Sequence, residues 1–239
     1  MRLFGMKSPF KEQMEGTNMK NTIQNKAILI FTGGMINLEW AREWLASQQF
    51  DYVIAADKGL LYADELNCKV DYILGDYDSV DKDLLEKYRS MNVELTTFPC
   101  EKDYTDTHLA IETAIERGAS QITILGATGS RMDHTMSNIQ NMKIALDLGI
   151  PCYIVNEYNK IYLANKNVVI NKSEQFGKYI SLIPFSQSVT GLTLSGFHYP
   201  LKKFRMDQGL SVGISNEIVG EKGVIEFDNG VLIIFETKD

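Results

Sequence analysis

The chain has 239 residues, of which 44% are hydrophobic and 23% charged, and its formal net charge at pH 7 is −7. This composition is typical of a globular protein with one large domain or two modest ones. The negative net charge argues against a surface for nucleic acid or anionic lipid, although it allows a local basic pocket for a small anion. We therefore expect a small-molecule ligand, with neither nucleic acid nor a membrane as partner.

The N-terminal residues and the cysteines carry predictions about location. No apolar run is as long as a membrane span, and MRLFGMKSPFKEQ lacks the apolar core of a signal peptide. Cys68, Cys100 and Cys152 are odd in number, widely spaced and without a CxxC pair. This pattern indicates neither a zinc site nor a disulfide framework. We expect a cytoplasmic protein in which residues 1–25 form a polar extension.

Between residues 26 and 158, short apolar runs alternate with helical patterns. The predicted strands are KAILIFT, DYVIAA, DYILG, VELTTF, QITILG and PCYIV. The predicted helices begin at Leu38, near Leu60, and at Asp81, Tyr104 and Met132. Gly118 and Gly149 stand where helix C-caps are expected. The alternation predicts a Rossmann-like α/β domain over residues 26–158, with a parallel sheet flanked by helices.

After Tyr158 the pattern changes to short alternating runs. These runs are KIYLAN, NVVIN, YISLIPF, VTGLTL, GVIEF and GVLIIFE, and Gly, Asn and Ser turns separate them. Such a pattern is typical of an all-β sandwich or barrel. We predict a second, all-β domain over residues 159–239 that packs closely against the first.

Polar clusters follow four of the predicted strands of the α/β domain. They are Asp57, the pair Asp76 and Asp78, the pair Asp103 and Asp106, and Arg131 with Asp133. Because ligands bind outside the carboxyl ends of the strands in parallel α/β sheets, we expect these clusters along one rim. Two aspartates as close as Asp76 and Asp78 repel each other unless water or a metal ion compensates their charges.

Each acidic cluster also has a structural explanation. Asp103 fits a helix N-cap, with Asp106 at the third helical position, where a carboxylate favours the positive end of the helix dipole. Asp78, Ser79 and Asp81 fit the N-terminus of the preceding helix in the same way. Taken one at a time, the pairs therefore favour helix capping over a functional role.

Arg131 favours a functional explanation. A cation in the first turn of a helix opposes the helix dipole, so its placement calls for an anion nearby. The turn GATGSR offers backbone N–H groups and a helix N-terminus to the same anion. A phosphate beside several aspartates needs a divalent cation, and hard oxygen ligands describe Mg²⁺ better than zinc. The sequence contains neither a P-loop nor a GxGxxG motif.

Six stretches, taken together, closely resemble the thiamine pyrophosphokinase family. They are DYVIAADKG, ILGDYDSV, EKDYTDTHLAIETA, ILGATGSRMDHTMSNI, GFHYPLKKF and GISNEI, and the resemblance extends from about Lys26 to the C-terminus. It implies an α/β domain followed by a β-sandwich. It also implies transfer of the pyrophosphoryl group of ATP to the hydroxyl of thiamine, which gives thiamine diphosphate and AMP.

Two other classes of function stay open at this point. One is a related ATP-dependent pyrophosphotransferase or kinase that acts on another alcohol. The other is a catalytically silent module that binds nucleotide or thiamine. The complete acidic set together with Arg131 argues against the silent module.

The resemblance also implies roles for individual residues. As ligands of Mg²⁺ it implies Asp76, Asp78 and Asp106, which form the catalytic set together with Arg131 and Asp133. For ATP it implies contacts from Asp57, Lys102, Thr105 and Arg131. For thiamine it implies Ser215, Asn216 and Tyr199, with Phe197 nearby.

Assembly and aromatic stacking complete what the resemblance implies. Members of the family are homodimers with the active site at the subunit interface.

Some members present a tryptophan to thiamine from the β domain, whereas Trp40 and Trp44 lie in the first predicted helix of this chain. Their i, i+4 spacing predicts core packing.

Overall fold

The computed structural model describes residues 25–78, 80–97 and 104–239. In its first part, strands and helices alternate as predicted. The elements are β1 (Lys26–Phe31), α1 (Leu38–Ala46), β2 (Tyr52–Ala56), α2 (Gly59–Glu65), β3 (Tyr72–Gly75), α3 (Lys82–Ser90), β4 (Glu94–Thr97), α4 (Asp106–Glu116), β5 (Ala119–Leu125), α5 (Met132–Asp147) and β6 (Cys152–Val155). Within the described part of the chain, every helix is too short or too polar to traverse a bilayer.

The second part contains strands alone among its regular elements. They are β7 (Asn159–Ala164), β8 (Val168–Asn171), β9 (Tyr179–Pro184), β10 (Ser188–Ser195), β11 (Leu201–Asp207), β12 (Asn216–Glu217), β13 (Lys222–Glu226) and β14 (Leu232–Thr237). A four-stranded antiparallel sheet, in the order β11-β10-β13-β8, forms one layer. Together with the α/β part, this confirms the predicted fold class of a parallel sheet flanked by helices and a following β-sandwich.

The main sheet runs through both parts without a break. Its strand order is β12-β9-β14-β7-β6-β5-β1-β2-β3-β4, parallel from β6 to β4 and antiparallel from β6 to β12. The chain reverses after β6 in a turn where the Asn156 side chain accepts hydrogen bonds from the backbone of Tyr158 and Asn159. The division that we predict at residue 158 falls in this turn, and it stays a prediction.

Three apolar clusters hold the layers together. On β1, Ile28 and Ile30 point to the cluster shared with α4 and α5, whereas Leu29 and Phe31 point to the cluster shared with α1, α2 and α3. This is the two-residue alternation expected of a strand buried on both faces. A third cluster fills the space between the four-stranded sheet and β7, β9 and β14. The β part is therefore a sandwich in which the main sheet supplies one layer.

The helix termini largely follow the predictions. Asp81 caps α3 by accepting a hydrogen bond from the backbone N–H of Asp83 at 2.7 Å. Gly118 and Gly149 follow α4 and α5 in the left-handed conformation, with φ of 84° and 72°. Trp40 and Trp44 stack with ring centroids 5.7 Å apart and pack, half-buried, on the core.

The N-terminus of α4 differs from the prediction. Its N-cap is Thr105, whose Oγ1 accepts a hydrogen bond from the backbone N–H of His108 at 3.3 Å, and Asp106 is the first helical residue. The predicted placement of Asp106 at the third helical position is therefore wrong. Asp103 and Lys102 lie outside the described residues. A threonine hydroxyl provides the same acceptor as an aspartate at this position, so the sequence pattern did not separate the two.

Candidate active site

A cleft of about 610 Å³ opens at the carboxyl ends of β1, β2 and β5. From β1 the chain proceeds to β2, β3 and β4 on one side and returns to β5 on the other. This reversal is a topological switch point, where open α/β sheets bind their ligands. The predicted site residues that line the cleft are Asp57, Thr105, Asp106 and Arg131. The position of the cleft agrees with the rim that we expected from the sequence.

The loops after β1 and β5 form the floor of the cleft. The backbone N–H of Gly34 donates to the carbonyl oxygen of Gly126 at 2.8 Å, and that of Met35 donates to Thr128 at 2.7 Å. A Cβ at Gly34 would lie 2.2 Å from the Gly126 carbonyl oxygen, so this close pairing requires glycine. Our sequence reasoning missed the β1 loop, although a Gly–Gly pair directly after a strand was the available signal.

Asp57 has a buried carboxylate oxygen that lacks a protein partner. Its Oδ1 is inaccessible and accepts no hydrogen bond, while its backbone is left-handed, with φ of 48°. Burial raises the pKa of Asp57; a hydrogen bond from the backbone of Lys58 opposes this, and the negative charges of Asp106 and Asp76 raise it further. Acidic groups from three separate segments of the chain therefore lie within electrostatic reach of one another, and Asp57 has one carboxylate oxygen without a hydrogen-bond partner.

Gly75 allows the loop after β3 to approach Asp57. The backbone N–H of Asp57 donates to the carbonyl oxygen of Leu74 at 2.9 Å. Gly75 has a φ of 146°, and a Cβ there would lie 3.2 Å from the Asp57 nitrogen. The residue before Asp76 is thus in close contact with Asp57, which explains why the charges of Asp57 and Asp76 interact.

Neither Asp76 nor Asp78 lines the cleft, although the charge of Asp76 acts on Asp57, which does. The carboxylate of Asp76 accepts a hydrogen bond from the backbone N–H of Asp78 at 3.2 Å. Tyr77 between them is left-handed, with φ of 62°, and its hydroxyl donates to the carbonyl oxygen of Thr96 at 2.8 Å. Part of the reason for two aspartates at this spacing is therefore local: the first stabilises the turn that carries the second.

The acidic set does not form a closed metal cage. Among residues 25–78, 80–97 and 104–239, no three His, Cys, Asp or Glu side chains stand close enough together to enclose a metal ion. The orphaned Asp57 oxygen and the convergence of Asp57, Asp76 and Asp106 nevertheless fit a hard cation. Mg²⁺ commonly takes one or two protein carboxylates and completes its shell with water and phosphate oxygens.

Thr105 and Asp106 present the N-terminus of α4 to the cleft. The Thr105 hydroxyl also accepts a hydrogen bond from the Asn141 side chain at 3.3 Å, which joins α4 to α5. Asp106 is the first residue of α4, where a negative charge interacts favourably with the helix dipole. Both residues are therefore positioned by the helix start.

Arg131 lines the cleft and pairs with Asp133. The guanidinium donates from Nε to Asp133 Oδ1 at 3.2 Å and from Nη2 to Oδ2 at 2.5 Å. This hydrogen-bonded pairing lowers the pKa of Asp133 to about 2 and raises that of Arg131. The sequence called for an anion near Arg131, and the Asp133 carboxylate is one such anion at the N-terminus of the same helix. Asp133 itself does not line the cleft, but His134 does.

Several cleft residues were not predicted from the sequence. Besides the β1 loop they include Lys58, Tyr62 and Asn138. The Asn138 side chain is buried and donates to the carbonyl oxygen of Ala127 at 2.8 Å, which fixes the β5 loop. Lys58 follows Asp57 directly, so a cation next to the predicted acid was the signal that sequence reasoning passed over.

The residues expected at thiamine lie together around β12. The Asn216 side chain is 4% exposed, donates to the carbonyl oxygen of Tyr199 at 2.8 Å and accepts from its N–H at 3.0 Å. Ser215 is left-handed and donates its N–H to Ser181 at 2.9 Å. Tyr199 is 60% exposed, whereas Phe197 is buried in the core between the sheets. Asn216 therefore shapes this loop, and Tyr199 is the aromatic side chain available to a ligand.

Within a single chain, the residues around β12 lie far from the cleft. β12 is the edge strand of the main sheet, six strand-to-strand steps from β1. At about 4.8 Å for each step, the two groups lie roughly 29 Å apart along the sheet. A ligand of the size of thiamine cannot span this distance.

The fold and the cleft define a class of α/β proteins that bind a ligand at the switch point of a parallel sheet and carry a β-sandwich. Two family models match in this order: "Thiamin pyrophosphokinase, catalytic domain" over residues 44–154 and "Thiamin pyrophosphokinase, vitamin B1 binding domain" over residues 166–232. The chain belongs to the thiamine pyrophosphokinase family.

Individual relatives agree with this assignment. The chain is similar to thiamine pyrophosphokinase of Bacillus subtilis (strain 168), with 31% identity over 186 residues that cover 78% of this chain and 87% of the relative. The crystal structure of thiamine pyrophosphokinase from Bacillus subtilis has a TM-score of 0.80 at 31% identity and covers 90% of this chain and 100% of that chain. Thiamin pyrophosphokinase from Geobacillus thermodenitrificans gives 0.76 at 27%, with 89% and 98% covered.

Proposed function

We propose that the protein is a thiamine pyrophosphokinase, an ATP-dependent diphosphotransferase that converts thiamine to thiamine diphosphate and releases AMP. The observation that carries this proposal is the convergence of Asp57, Asp76 and Asp106 beside a cleft at the switch point of the sheet. Acidic groups at such a place suit a nucleotide whose phosphates arrive with a divalent cation. The order of the catalytic and vitamin B1 binding matches supports the same function.

The proposed reaction is an in-line displacement at phosphorus. The hydroxyl oxygen of thiamine attacks the β-phosphorus of ATP, and the bond from that phosphorus to the oxygen bridging it to the α-phosphate breaks. AMP leaves with the bonding electrons, and the hydroxyl proton is released. Positioning and charge neutralisation dominate such reactions, so no strong base is required. Asp133 suits the role of base poorly, because its pairing with Arg131 holds its pKa at about 2.

In this proposal Asp76, Asp78 and Asp106 hold Mg²⁺. The ion, when bound, would neutralise charge on the phosphate oxygens. Asp106 is suited to this role because α4 fixes its position at the edge of the cleft. Asp76 is suited because its charge already interacts with that of Asp57 across the contact at Gly75.

ATP is proposed to lie over the paired loops after β1 and β5. Arg131 would bind its phosphates as a cation whose orientation Asp133 fixes. Thr105 and Asp57 would contact the nucleotide from either side of the cleft, which both of them line. Lys102 belongs to the same proposed set, although it lies outside the described residues.

We propose further that a homodimer completes the site. Ser215, Asn216 and Tyr199 would act on thiamine, yet they lie roughly 29 Å along the sheet from β1 of their own chain. The surface around them exposes apolar side chains that a partner would cover, namely Tyr199, Leu210, Val212, Ile214 and Val219. If this surface of a second copy lay against the cleft, that copy would supply Ser215, Asn216 and Tyr199, here called the thiamine loop, to the site of the first.

A cytoplasmic location is part of the same proposal. The co-substrate ATP is available there, and Cys68 and Cys152 are free thiols, which suits a reducing compartment. The buried Cys152 has its pKa raised to about 12 by burial, so it is unreactive as a thiolate at neutral pH.

One incubation tests the function. The full chain is mixed with ATP, Mg²⁺ and thiamine, and the adenine-containing product is identified by chromatography. AMP together with thiamine diphosphate is expected. ADP would point instead to a kinase that transfers a single phosphoryl group, and absence of turnover would favour a binding module. Reactions without thiamine or with EDTA in place of Mg²⁺ serve as controls.

A further inference from the structure

We infer that Lys58 is a phosphate-binding residue that contacts the β- or γ-phosphate of ATP. This inference rests on the proposed function, because it takes ATP as the occupant of the cleft. Lys58 lines the cleft immediately after Asp57 and is exposed. Within the described part of the chain its ammonium group forms no ion pair, whereas the other strong cation of the cleft, Arg131, is paired with Asp133.

Hydrogen bonds and one close backbone contact fix the main chain around Lys58. The N–H of Leu60 donates to the carbonyl oxygen of Asp57 at 3.1 Å, and that of Leu61 donates to Lys58 at 3.0 Å. A Cβ at Gly59 would lie 2.1 Å from the carbonyl oxygen of Phe31, so the start of α2 is in tight contact with the end of β1. Lys58 therefore projects from a fixed point of the cleft wall.

The stem of Lys58 passes beside the β1 loop. A Cβ at Gly33 would lie 3.2 Å from the Cβ of Lys58 and 3.8 Å from Oδ2 of Asp57. The two side chains, one cationic and one anionic, thus adjoin the same backbone segment. The flexible stem of lysine leaves its ammonium group free to meet an anion that lies over this loop.

The neighbourhood of Lys58 indicates which phosphates it meets. Asp57 is the carboxylate whose charge interacts with those of Asp106 and Asp76, so Lys58 stands at the acidic end of the cleft. A divalent cation held by these carboxylates would neutralise charge on the terminal phosphates of ATP, which would place the β- and γ-phosphates at the acidic end. A phosphate there meets several carboxylates, and the positive charge of Lys58 would offset their repulsion. The α-phosphate, which stays with AMP, lies one phosphate further away.

The test compares the binding of ATP and AMP by isothermal titration calorimetry with Mg²⁺ and without thiamine. A charge-assisted hydrogen bond contributes enough that Lys58→Met is expected to weaken ATP binding by about ten- to hundredfold. AMP binding is expected to change by less than about twofold, because AMP lacks the contacted phosphates. Lys58→Arg retains the charge and is expected to recover most of the ATP affinity.

Lys166→Met is the matched control. Lys166 is likewise an exposed lysine without an ion pair in the described residues, but it lies in the turn between β7 and β8. Its substitution is expected to leave ATP binding unchanged.

Equal losses for ATP and AMP in Lys58→Met would overturn the inference, and so would an unchanged ATP affinity. A wild-type protein that binds ATP but makes no thiamine diphosphate would count against the proposed function alone. Melting temperatures of all variants are compared, and loss of ATP affinity in Lys58→Arg equal to that in Lys58→Met would also overturn the inference.

Discussion

The guanidinium of Arg131 and the carboxylate of Asp133 form a two-pronged ion pair, with contacts of 3.2 and 2.5 Å, at the edge of the cleft. If this pair acts as one unit on ATP, its members are not independent. We expect Arg131→Gln to lower kcat/KM strongly, Asp133→Asn to lower it less, and the double variant to resemble Arg131→Gln. A double-mutant cycle in kcat/KM measures this, and additive losses would show that the two side chains act separately.

The same pair is not expected to matter for stability. Both side chains are largely exposed, 70% and 64%, so water screens their interaction. Because the folded pKa of Asp133 is lowered to about 2, any stabilisation exists at pH values above its usual pKa of 3.8 and is lost as the pH falls through 2. Because solvent screening keeps this stabilisation small, the melting temperature of Asp133→Asn at pH 7 should stay close to that of the wild type.

Substitutions in the acidic set separate catalysis from helix capping. Asp76→Asn and Asp106→Asn are expected to lower turnover by at least about a hundredfold while the melting temperature stays unchanged or rises, because each removes carboxylate repulsion. The matched control is Asp81→Ala, which removes an N-cap hydrogen bond of 2.7 Å. It should cost about 1 kcal/mol of stability and keep activity. If Asp106→Asn behaves like Asp81→Ala, Asp106 only stabilises α4.

The raised pKa of Asp57 links stability to pH. Burial and the charges of Asp106 and Asp76 raise its pKa in the folded protein. Its contribution to stability is therefore fully present below the usual pKa of 3.8 and is lost as the pH rises through the raised value. Without Mg²⁺, Asp57→Asn should melt at a higher temperature than the wild type at pH 7, and this difference should shrink as the pH approaches 4.

Added Mg²⁺ should raise the melting temperature of the wild type more than that of Asp57→Asn. A cation that binds the folded state raises its melting temperature. If Asp57 Oδ1 faces the ion, scanning calorimetry at pH 7 should show a larger rise with Mg²⁺ for the wild type than for Asp57→Asn. Equal rises in the two proteins would separate Asp57 from the metal.

The sequence was sufficient for the order of elements and for the rim, because both depend on local patterns. The apolar runs that end at Asp57 and Asp76 mark strand ends, and parallel strands bring their carboxyl ends to one edge. The sequence was not sufficient for features that arise from contacts between distant residues. Examples are the pairing of Gly34 with Gly126, the Asp57 oxygen left without a partner, and the continuation of the sheet through β7 and β14.

Asn216 shows the same limit within the thiamine loop. The resemblance implied a contact with thiamine, yet in the structure the side chain is buried and forms hydrogen bonds with the backbone of Tyr199. These bonds join residues 17 positions apart and are invisible in the sequence. A substitution at Asn216 would therefore disturb the loop as well as any ligand contact.

The cleft floor offers a steric test. Gly34→Ala would place a Cβ 2.2 Å from a backbone oxygen that cannot move without separating the β1 and β5 loops. We expect it to cost about 1–3 kcal/mol of stability and to abolish ATP binding. Gly220→Ala is the control, since nothing lies within 4 Å of a Cβ there. Urea unfolding and ATP titration measure both effects, and normal ATP binding by a folded Gly34→Ala protein would contradict the role of the floor.

The last prediction concerns the shared site, and the structure determines which variants are suitable. Asn216→Ala would break the hydrogen bonds that hold the loop, whereas Tyr199 is 60% exposed and can be removed without disturbing the core. We therefore pair Tyr199→Ala with Asp106→Asn, after each variant alone has been found to have low activity. The two are unfolded and refolded as an equal mixture, and subunit exchange is verified with differently tagged chains.

If each site takes its acidic set from one chain and its thiamine loop from the other, a mixed dimer has one site with both lesions and one intact site. Random pairing makes half of the dimers mixed, and half of their sites are intact, so activity should return to roughly a quarter of the wild-type value. If both groups served the same site from one chain, every site would keep a lesion. A mixture that exchanges subunits and yet remains inactive would therefore rule out the shared site, while the separate measurements on Asp106 and Asp57 would still report on the metal.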